Sequence, residues 1–420
     1  MLANGPHTGL RVDPERLERT LRSVAAIGAD PGGGVSRLGL GPAERQARLY
    51  LAEVAAAAGL VSEVDPAANL LVRRRMSTVP GSRVLLFGSH VDSVRQGGWL
   101  DGAYGVVAAI EVLSVLAEHD VPCPAEPVAI GFSNEEGALV QYPFWGSRAL
   151  AGSLVDLDRA CDRDGNAVDG YLAQSGGDPN RLAEAVWRPG ELAGFLELHI
   201  EQGTVLERAG VPIGVVDGIV GRSIFDIRVV GGQGHPGTTP MADRRDALAA
   251  AARLVLDVEA IAGERGLCAR STTGYLRVHP NTTNTIPGMV ELTAEVRDVD
   301  PVRLDGAEAE VLAVAARLAR ERGVEVTAVR SARSEPVHTD PALRAAVTAA
   351  ARTVGVASTP ISSGAGHDAQ IVADIAPVGM IFVPSRDGIS HQPDEDTAIA
   401  DLCVGADVLL QTVLAAQPSG

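Results

Sequence analysis

The chain has 420 residues, 46% of them hydrophobic and 21% charged, with a formal net charge of −17 at pH 7. That length exceeds what one hydrophobic core usually organises, so two domains are expected in a folded globular protein. The negative balance argues against nucleic acid or an anionic membrane surface as partner and leaves a small-molecule substrate.

The four cysteines, Cys123, Cys161, Cys268 and Cys403, lie far apart with no Cys-x-x-Cys pair. A disulfide framework or thiolate zinc site is therefore not expected, and a reducing compartment fits. The N-terminus has no basic-then-apolar signal pattern, and no apolar run approaches the roughly 18 residues of a membrane span, so a cytoplasmic protein is expected.

Residues 1–12 read as a loosely attached start, after which Asp13-Pro14-Glu15 caps a helix running to about Ile27. Strand-like runs at 83–88 and 127–132 flank an apolar helix at about 105–119, a β-α-β alternation that implies a largely parallel sheet covered by helices. Polar residues gather at the carboxyl ends of these strands, where open α/β sheets keep their active sites.

The first polar cluster is Gly88-Ser89-His90-Val91-Asp92, followed closely by Asp101. Imidazole and carboxylate are the usual ligands of zinc, manganese and similar ions, and Asp92 is placed to orient His90 through the ring's other nitrogen. Alone, a His-x-Asp pair is more often a satisfied strand-end histidine. The second cluster is Ser133-Asn134-Glu135-Glu136-Gly137. Adjacent carboxylates repel unless a cation or proton separates them, so one can bind metal while the other acts as general base. A solvated turn is the plainer reading of Glu-Glu by itself. Further histidines stand in Glu197-Leu198-His199-Ile200-Glu201-Gln202-Gly203, Ser363-Gly364-Ala365-Gly366-His367-Asp368 and Gly388-Ile389-Ser390-His391-Gln392-Pro393. So many histidines in Gly-rich, strand-end or polar settings favour a metal hydrolase over coincidence. No Gly-x-Ser-x-Gly elbow or phosphate-binding Gly-rich loop with Lys-Ser/Thr is present.

Near Ile213 the pattern changes. A strand at 223–230, a helix at 246–265 with Leu248, Ala251, Val255, Val258 and Ile261 along one face, strands at 274–279 and 289–298, a helix at 306–322 and a strand at 324–331 follow. That order, β-α-β-β-α-β, is the ferredoxin-like arrangement, about one hundred residues inserted into a discontinuous α/β domain. The expected division is 1–214 and 333–420 for the catalytic domain and 215–332 for the insert.

On these clusters, and above all on His199-Ile200-Glu201-Gln202-Gly203, Gly234-His235-Pro236-Gly237-Thr238-Thr239-Pro240-Met241, Asn281-Thr282-Thr283-Asn284-Thr285-Ile286-Pro287-Gly288 and residues 363–370, the chain resembles a zinc amidohydrolase family. That family contains N-carbamoyl-L-amino acid hydrolases, allantoate amidohydrolases and β-ureidopropionases, within a wider group of two-zinc aminoacylases and exopeptidases. The likeness runs from about His90 to His391. Carried over residue by residue, it implies that Asp101 bridges two divalent metal ions, with His90 and His199 completing one position and Glu136 and His391 the other. Zinc is the implied metal, with manganese or cobalt as alternatives. Glu135 is the implied general base, acting on a metal-bridging hydroxide. His235, Asn284 and Arg297 match positions that hold the substrate and polarise its carbonyl, and Gln202 and His367 match further substrate-side positions. The insert is implied to serve as a lid and to form a homodimer, with His235 reaching a partner subunit's site.

Two departures stand out: Pro236 follows His235 where relatives often have Ala, and Arg222-Ser223-Ile224-Phe225 replaces the consecutive basic residues of allantoate enzymes. The expected reaction is hydrolysis of an N-carbamoyl-L-amino acid to amino acid, carbon dioxide and ammonia. The alternatives are allantoate amidohydrolase, or an aminoacylase or dipeptidase. A metal-dependent binding protein on a retired hydrolase fold is the reading from another class; such a protein need not keep Glu135.

Overall fold

The computed structural model describes residues 9–75, 83–123 and 125–416. Of the start expected to be loosely attached, residues 1–8 lie outside the described residues. Attachment is complete by Val12, which is buried and donates its N–H to Asp407 at 2.8 Å. Asp13 then accepts the N–H groups of Glu15 and Arg16 and caps the helix Pro14–Ala26, with Pro14 in the first turn.

Five strands lead into the site: β1 (Leu60–Val64), β2 (Leu70–Arg74), β3 (Val84–His90), β4 (Glu126–Phe132) and β5 (Leu192–Ile200). They are followed by β6 (Ile213–Ile219). Next come β7 (Gly221–Val230), β8 (Arg270–Thr272), β9 (Leu276–His279), β10 (Met289–Asp298) and β11 (Glu325–Ser334). Last are β12 (Val337–His338), β13 (Ser358–Ser363) and β14 (Val378–Val383). The large sheet is mixed, in the order β1-β2-β4-β3-β5-β14-β6. Its centre, β4-β3-β5-β14, is parallel, and the flanking pairs are antiparallel.

The parallel strands read as continuous apolar runs because both faces are covered: every residue of β3 and β5 is buried. The helix Ala103–Glu118 is apolar around its whole circumference and buried from Ala103 to Leu116, as an all-round apolar helix must be. Packed beside β3, it starts next to the carboxyl ends of the central strands, its Gly105 lying against Ser89 and the Leu198 carbonyl, where His90, Phe132 and Ile200 close β3, β4 and β5.

The chain folds as two compact units, one of Met1–Asp217, Thr339–Ile361 and His367–Gly420, the other of Gly218–His338 and Ser362–Gly366. The second has its own antiparallel sheet, ordered β11-β7-β10-β8, with β9 also on β10. Alternation along β10 buries Val290, Leu292, Ala294 and Val296 against the helices Ala247–Ala262 and Pro301–Arg322, and leaves Glu291, Glu295 and Arg297 on the other face.

Several local expectations need correction. β3 runs two residues beyond Gly88, so His90 belongs to the strand. The buried stripe of helix Ala247–Ala262 is Ala247, Ala250, Ala251, Leu254, Val258 and Ile261, whereas Leu248 is exposed and Val255 only partly buried. The helix is so rich in alanine that its apolar period does not single out one face. The next helix starts at Pro301, capped by Asp300, five residues before the expected Gly306. The expected strand at 274–279 is the shorter β9, and β8, just before it, is a further short strand the pattern does not predict.

Candidate metal centre and active site

Two donor groups meet at one carboxylate. His90, Asp101 and His199 bring one ligand atom each within 4.8 Å of one another, and so do Asp101, Glu136 and His391. The oxygens of Asp101 divide between them. Oδ1 lies 3.0 Å from His199 Nε2 and 3.4 Å from His90 Nε2. Oδ2 lies 3.0 Å from His391 Nε2, which is 3.3 Å from Glu136 Oε1.

The backbone dictates which nitrogen of each ring faces this cluster. His90 Nδ1 points at the carbonyl of Asp92 at 3.1 Å, and His199 Nδ1 at the carbonyl of Ile200 at 2.8 Å. A carbonyl oxygen only accepts, so Nδ1 carries the proton in both rings and the neutral rings aim Nε2 lone pairs at Asp101. The Gly102 N–H, donating to His199 Nε2 at 3.2 Å, agrees with that tautomer. Lone pairs facing a carboxylate repel unless a proton or a cation lies between them. The donor set of imidazole nitrogens and carboxylates, split by one bridging Asp, thus fits two divalent cations.

The same imbalance governs protonation. Burial alone would lower His90 and His199, but the surrounding carboxylates raise both; the Asp101 hydrogen bond leads for His199 and the Glu135 charge for His90. Burial would raise Asp101, yet the three histidines hold it well below the usual carboxylate range. Burial pushes Glu135 well up, Glu136 and Asp368 adding repulsion against the attraction of His90. Burial and the Asp101 charge push Glu136 up to about 7.

Each group is held by close neighbours. Gly102 has φ +63°, and a Cβ there would stand 2.3 Å from His90 Cε1, so only glycine lets Asp101 approach the ring. Asp92, expected to orient His90 with its side chain, does so chiefly through its main-chain carbonyl; its Oδ1 is 3.5 Å from Nδ1. The Asp92 carboxylate instead accepts the N–H groups of Glu135 at 2.9 Å and Glu136 at 3.1 Å. Those two side chains diverge, Glu135 Oε2 lying 4.0 Å from His90 Nε2 and Glu136 reaching His391. Asn134, Gln202 and His391 all adopt positive φ, of 53°, 59° and 60°. Non-glycine residues in that region cluster at functional sites.

Gln202, expected on the substrate side, turns its amide Nε2 to Asp101 Oδ2 at 2.8 Å. His367 stacks edge-on against His199 with ring centroids 4.7 Å apart, and burial beside the other histidines holds it well below the usual range. Its place is against the back of a candidate ligand. Glu395 and Ser390, which the sequence reading does not single out, also touch Asp101 or its backbone. An acid four residues after His391 in a polar loop is the only sequence signal for Glu395.

The remaining candidates belong to the second unit. His235 is exposed, and its Nδ1 accepts the N–H groups of Gly237 at 3.1 Å and Thr238 at 3.2 Å. The neutral ring therefore carries its proton on Nε2, ready to donate. Pro236 leaves that loop ordered: its carbonyl accepts from Arg244, whose Nε also donates to the Thr239 carbonyl. A bridge between Gly234 and Ile286 sets the exposed Asn284 turn alongside. Arg297 donates from Nε to Glu295 at 2.6 Å and from Nη1 to the carbonyl of Gly364 at 2.9 Å.

Residues 86–415 match the family described as Peptidase family M20/M25/M40. The chain belongs to that family. Within M20/M25/M40, it is 39% identical over 403 residues to an N-carbamoyl-L-amino acid amidohydrolase of Geobacillus stearothermophilus, covering 96% of this chain and 98% of the relative. It is 35% identical over 399 residues to an allantoate amidohydrolase of Escherichia coli (strain K12), covering 94% and 96%. A hydantoinase/carbamoylase-family amidase from Burkholderia multivorans superposes with a TM-score of 0.89 at 36% identity, covering 97% of this chain and 99% of the amidase. This M20/M25/M40 member is a hydrolase of amide C–N bonds. No helix among the described residues is long and apolar enough to cross a membrane.

Proposed function

We propose that the chain is a cytoplasmic hydrolase of N-carbamoyl-L-amino acids, cleaving the bond between the carbamoyl carbon and the amino-acid nitrogen. The observation that carries the chemistry is the division of Asp101 between two donor groups, with Glu135 beside one of them. Similarity to the Geobacillus carbamoylase supports the substrate class. Water adds to the carbamoyl carbon, the amino acid leaves, and the carbamate decomposes to carbon dioxide and ammonia.

His90, His199 and Asp101 would hold one divalent cation, and Asp101, Glu136 and His391 the other; zinc suits the imidazoles, with manganese or cobalt as alternatives. Bound there, the cations supply the positive charge that acidifies a water and polarises a carbonyl. Glu135 takes the proton of the attacking water and returns it to the leaving nitrogen. His235 donates from Nε2 to the carbonyl oxygen as negative charge develops, with Asn284 as a second polar contact. Arg297 receives the α-carboxylate through its planar fork. Gln202 and His367 act beside Asp101 and His199, shaping the substrate side from behind. The element order of the second unit supports a ferredoxin-like lid, and we assign it the contacts of a homodimer as well.

Ammonia release from N-carbamoyl amino acids, allantoate, N-acyl amino acids and dipeptides, with added zinc, manganese or cobalt, tests the assignment. The expected result is the highest kcat/KM on N-carbamoyl-L-amino acids. Turnover of allantoate alone would replace it with the allantoate reading, which the 35% identity to the Escherichia coli enzyme supports.

A further inference from the structure

We propose that Glu395 is a positioning residue that sets Asp101 and the His391 loop in register for the cations. Glu395 is 1% exposed and lies almost three hundred residues from Asp101 in sequence. Its Oε1 accepts the N–H groups of both Leu100 and Asp101, each at 3.0 Å. Its Oε2 accepts the Ser390 hydroxyl at 2.7 Å, and Ser390 Oγ also stands 3.3 Å from Asp101 Oδ2. One carboxylate thus grips the backbone of the bridging residue and, through the residue preceding His391, the oxygen of Asp101 that faces His391.

The loop is shaped to admit it. A Cβ on Gly98 would lie 2.0 Å from the Glu395 carboxyl carbon, so only glycine leaves room for that side chain. A buried carboxylate is tolerated where hydrogen bonds satisfy it, and the donors here come from two loops that each present a candidate ligand. If Glu395 merely stapled the loops together, its loss would lower stability without altering how tightly the folded protein takes a cation. A positioning role moves that affinity itself, as neighbours that orient ligands typically do, by about 10- to 100-fold.

The inference rests on reading Asp101 as the shared ligand, and the test separates the two. The full-length protein is stripped with a chelator and titrated with zinc against a chromophoric competitor, for wild type, Glu395→Ala, Glu395→Gln and Ser390→Ala. Thermal melts of the stripped proteins are recorded alongside. Glu395→Ala is expected to weaken the Asp101–Glu136–His391 position at least about tenfold. Glu395→Gln keeps an oxygen for the two N–H groups and turns its NH2 to Ser390 Oγ, so it should recover most of that loss. A Glu395→Ala protein that melts lower but binds zinc as wild type does overturns the proposal, and so does a Glu395→Gln protein no better than alanine. If Glu395→Ala fails to fold, Ser390→Ala decides: weaker zinc binding upholds the proposal and unchanged binding overturns it. Wild type that takes no zinc removes the centre, and this inference with it.

Discussion

The Asp92 carboxylate accepts the Glu135 N–H at 2.9 Å through Oδ1, while Oδ2 takes the N–H of Glu136 at 3.1 Å. A single buried acid therefore fixes the peptide on which the candidate base and a candidate ligand diverge. Asparagine in its place offers one acceptor and turns an NH2 donor toward the other N–H. Asp92→Asn should lower kcat by about 10- to 100-fold. The His90–His199 position should keep its cation, because the partner of His90 Nδ1 is the Asp92 main-chain carbonyl, which the substitution leaves in place. Elemental analysis beside steady-state kinetics checks this; an unchanged kcat would strip Asp92 of the role.

Glu135→Gln preserves size and removes the ability to take a proton. A fall in kcat of at least about 10²-fold is expected, with metal content near wild type. Were the purified variant to lose metal, Glu135 would be a ligand rather than a base.

Asp101 faces both groups, so Asp101→Ala should empty both positions, whereas His199→Ala should weaken only its own. Metal equivalents per chain after dialysis decide between them. Two equivalents retained by Asp101→Ala would remove that residue from the centre.

Protons compete with cations for these donors. The Asp101 hydrogen bond raises His391 to about 9 from an ordinary 6.5, against partial burial. In the cation-free protein the ring thus holds its proton through neutral pH, and that proton must leave when metal binds. Affinity at this position should rise with pH between about 7 and 9, approaching about tenfold per pH unit, and flatten above. Linkage gives the cation-free fold the opposite trend. The folded value lies above the unfolded one, so the stabilisation from His391 is complete below about 6.5 and lost as pH climbs through about 9. Calorimetric zinc titrations in two buffers of different ionisation heat would count the released protons; a pH-independent affinity would contradict the account.

Legibility in the sequence followed chemical scarcity. Histidines and paired acids at the ends of apolar runs are rare enough to mark a metal hydrolase, but the set His90, Asp101, Glu136, His199 and His391 is named only by resemblance to the amidohydrolase family; the fold brings all five together. Two supports were hidden, since Glu395 and Ser390 are common residue types whose contacts with Asp101 span almost three hundred residues. Asp92 was legible as a neighbour of His90, but its hydrogen bonds to the Glu135 loop depend on β3 and β4 lying side by side. The fully buried β5 has no alternation to betray it, and on helix Ala247–Ala262 the expected face was right at Ala251, Val258 and Ile261 but missed Ala247, Ala250 and Leu254, because alanine is neutral between burial and exposure.

The Arg297 guanidinium is oriented before any substrate arrives, by Glu295 on Nε and the Gly364 carbonyl on Nη1. Without ligand the residue is half of a strand-end ion pair, and a substrate carboxylate must either displace Glu295 or take the other edge of the fork. The two roles separate by substrate. If Arg297 binds the α-carboxylate of an N-carbamoyl amino acid, Arg297→Ala removes a charge-assisted contact of roughly 1.5–3 kcal/mol, about tenfold to a hundredfold in kcat/KM. The matching carboxamide never had that contact and should lose little. Metal content should stay at the wild-type level for either substrate, since Arg297 belongs to neither donor group. Equal losses on acid and amide would show that Arg297 and Glu295 order the loop at Gly364 instead. No loss on either would leave only the ion pair seen in the fold, and the carboxylate would need another partner.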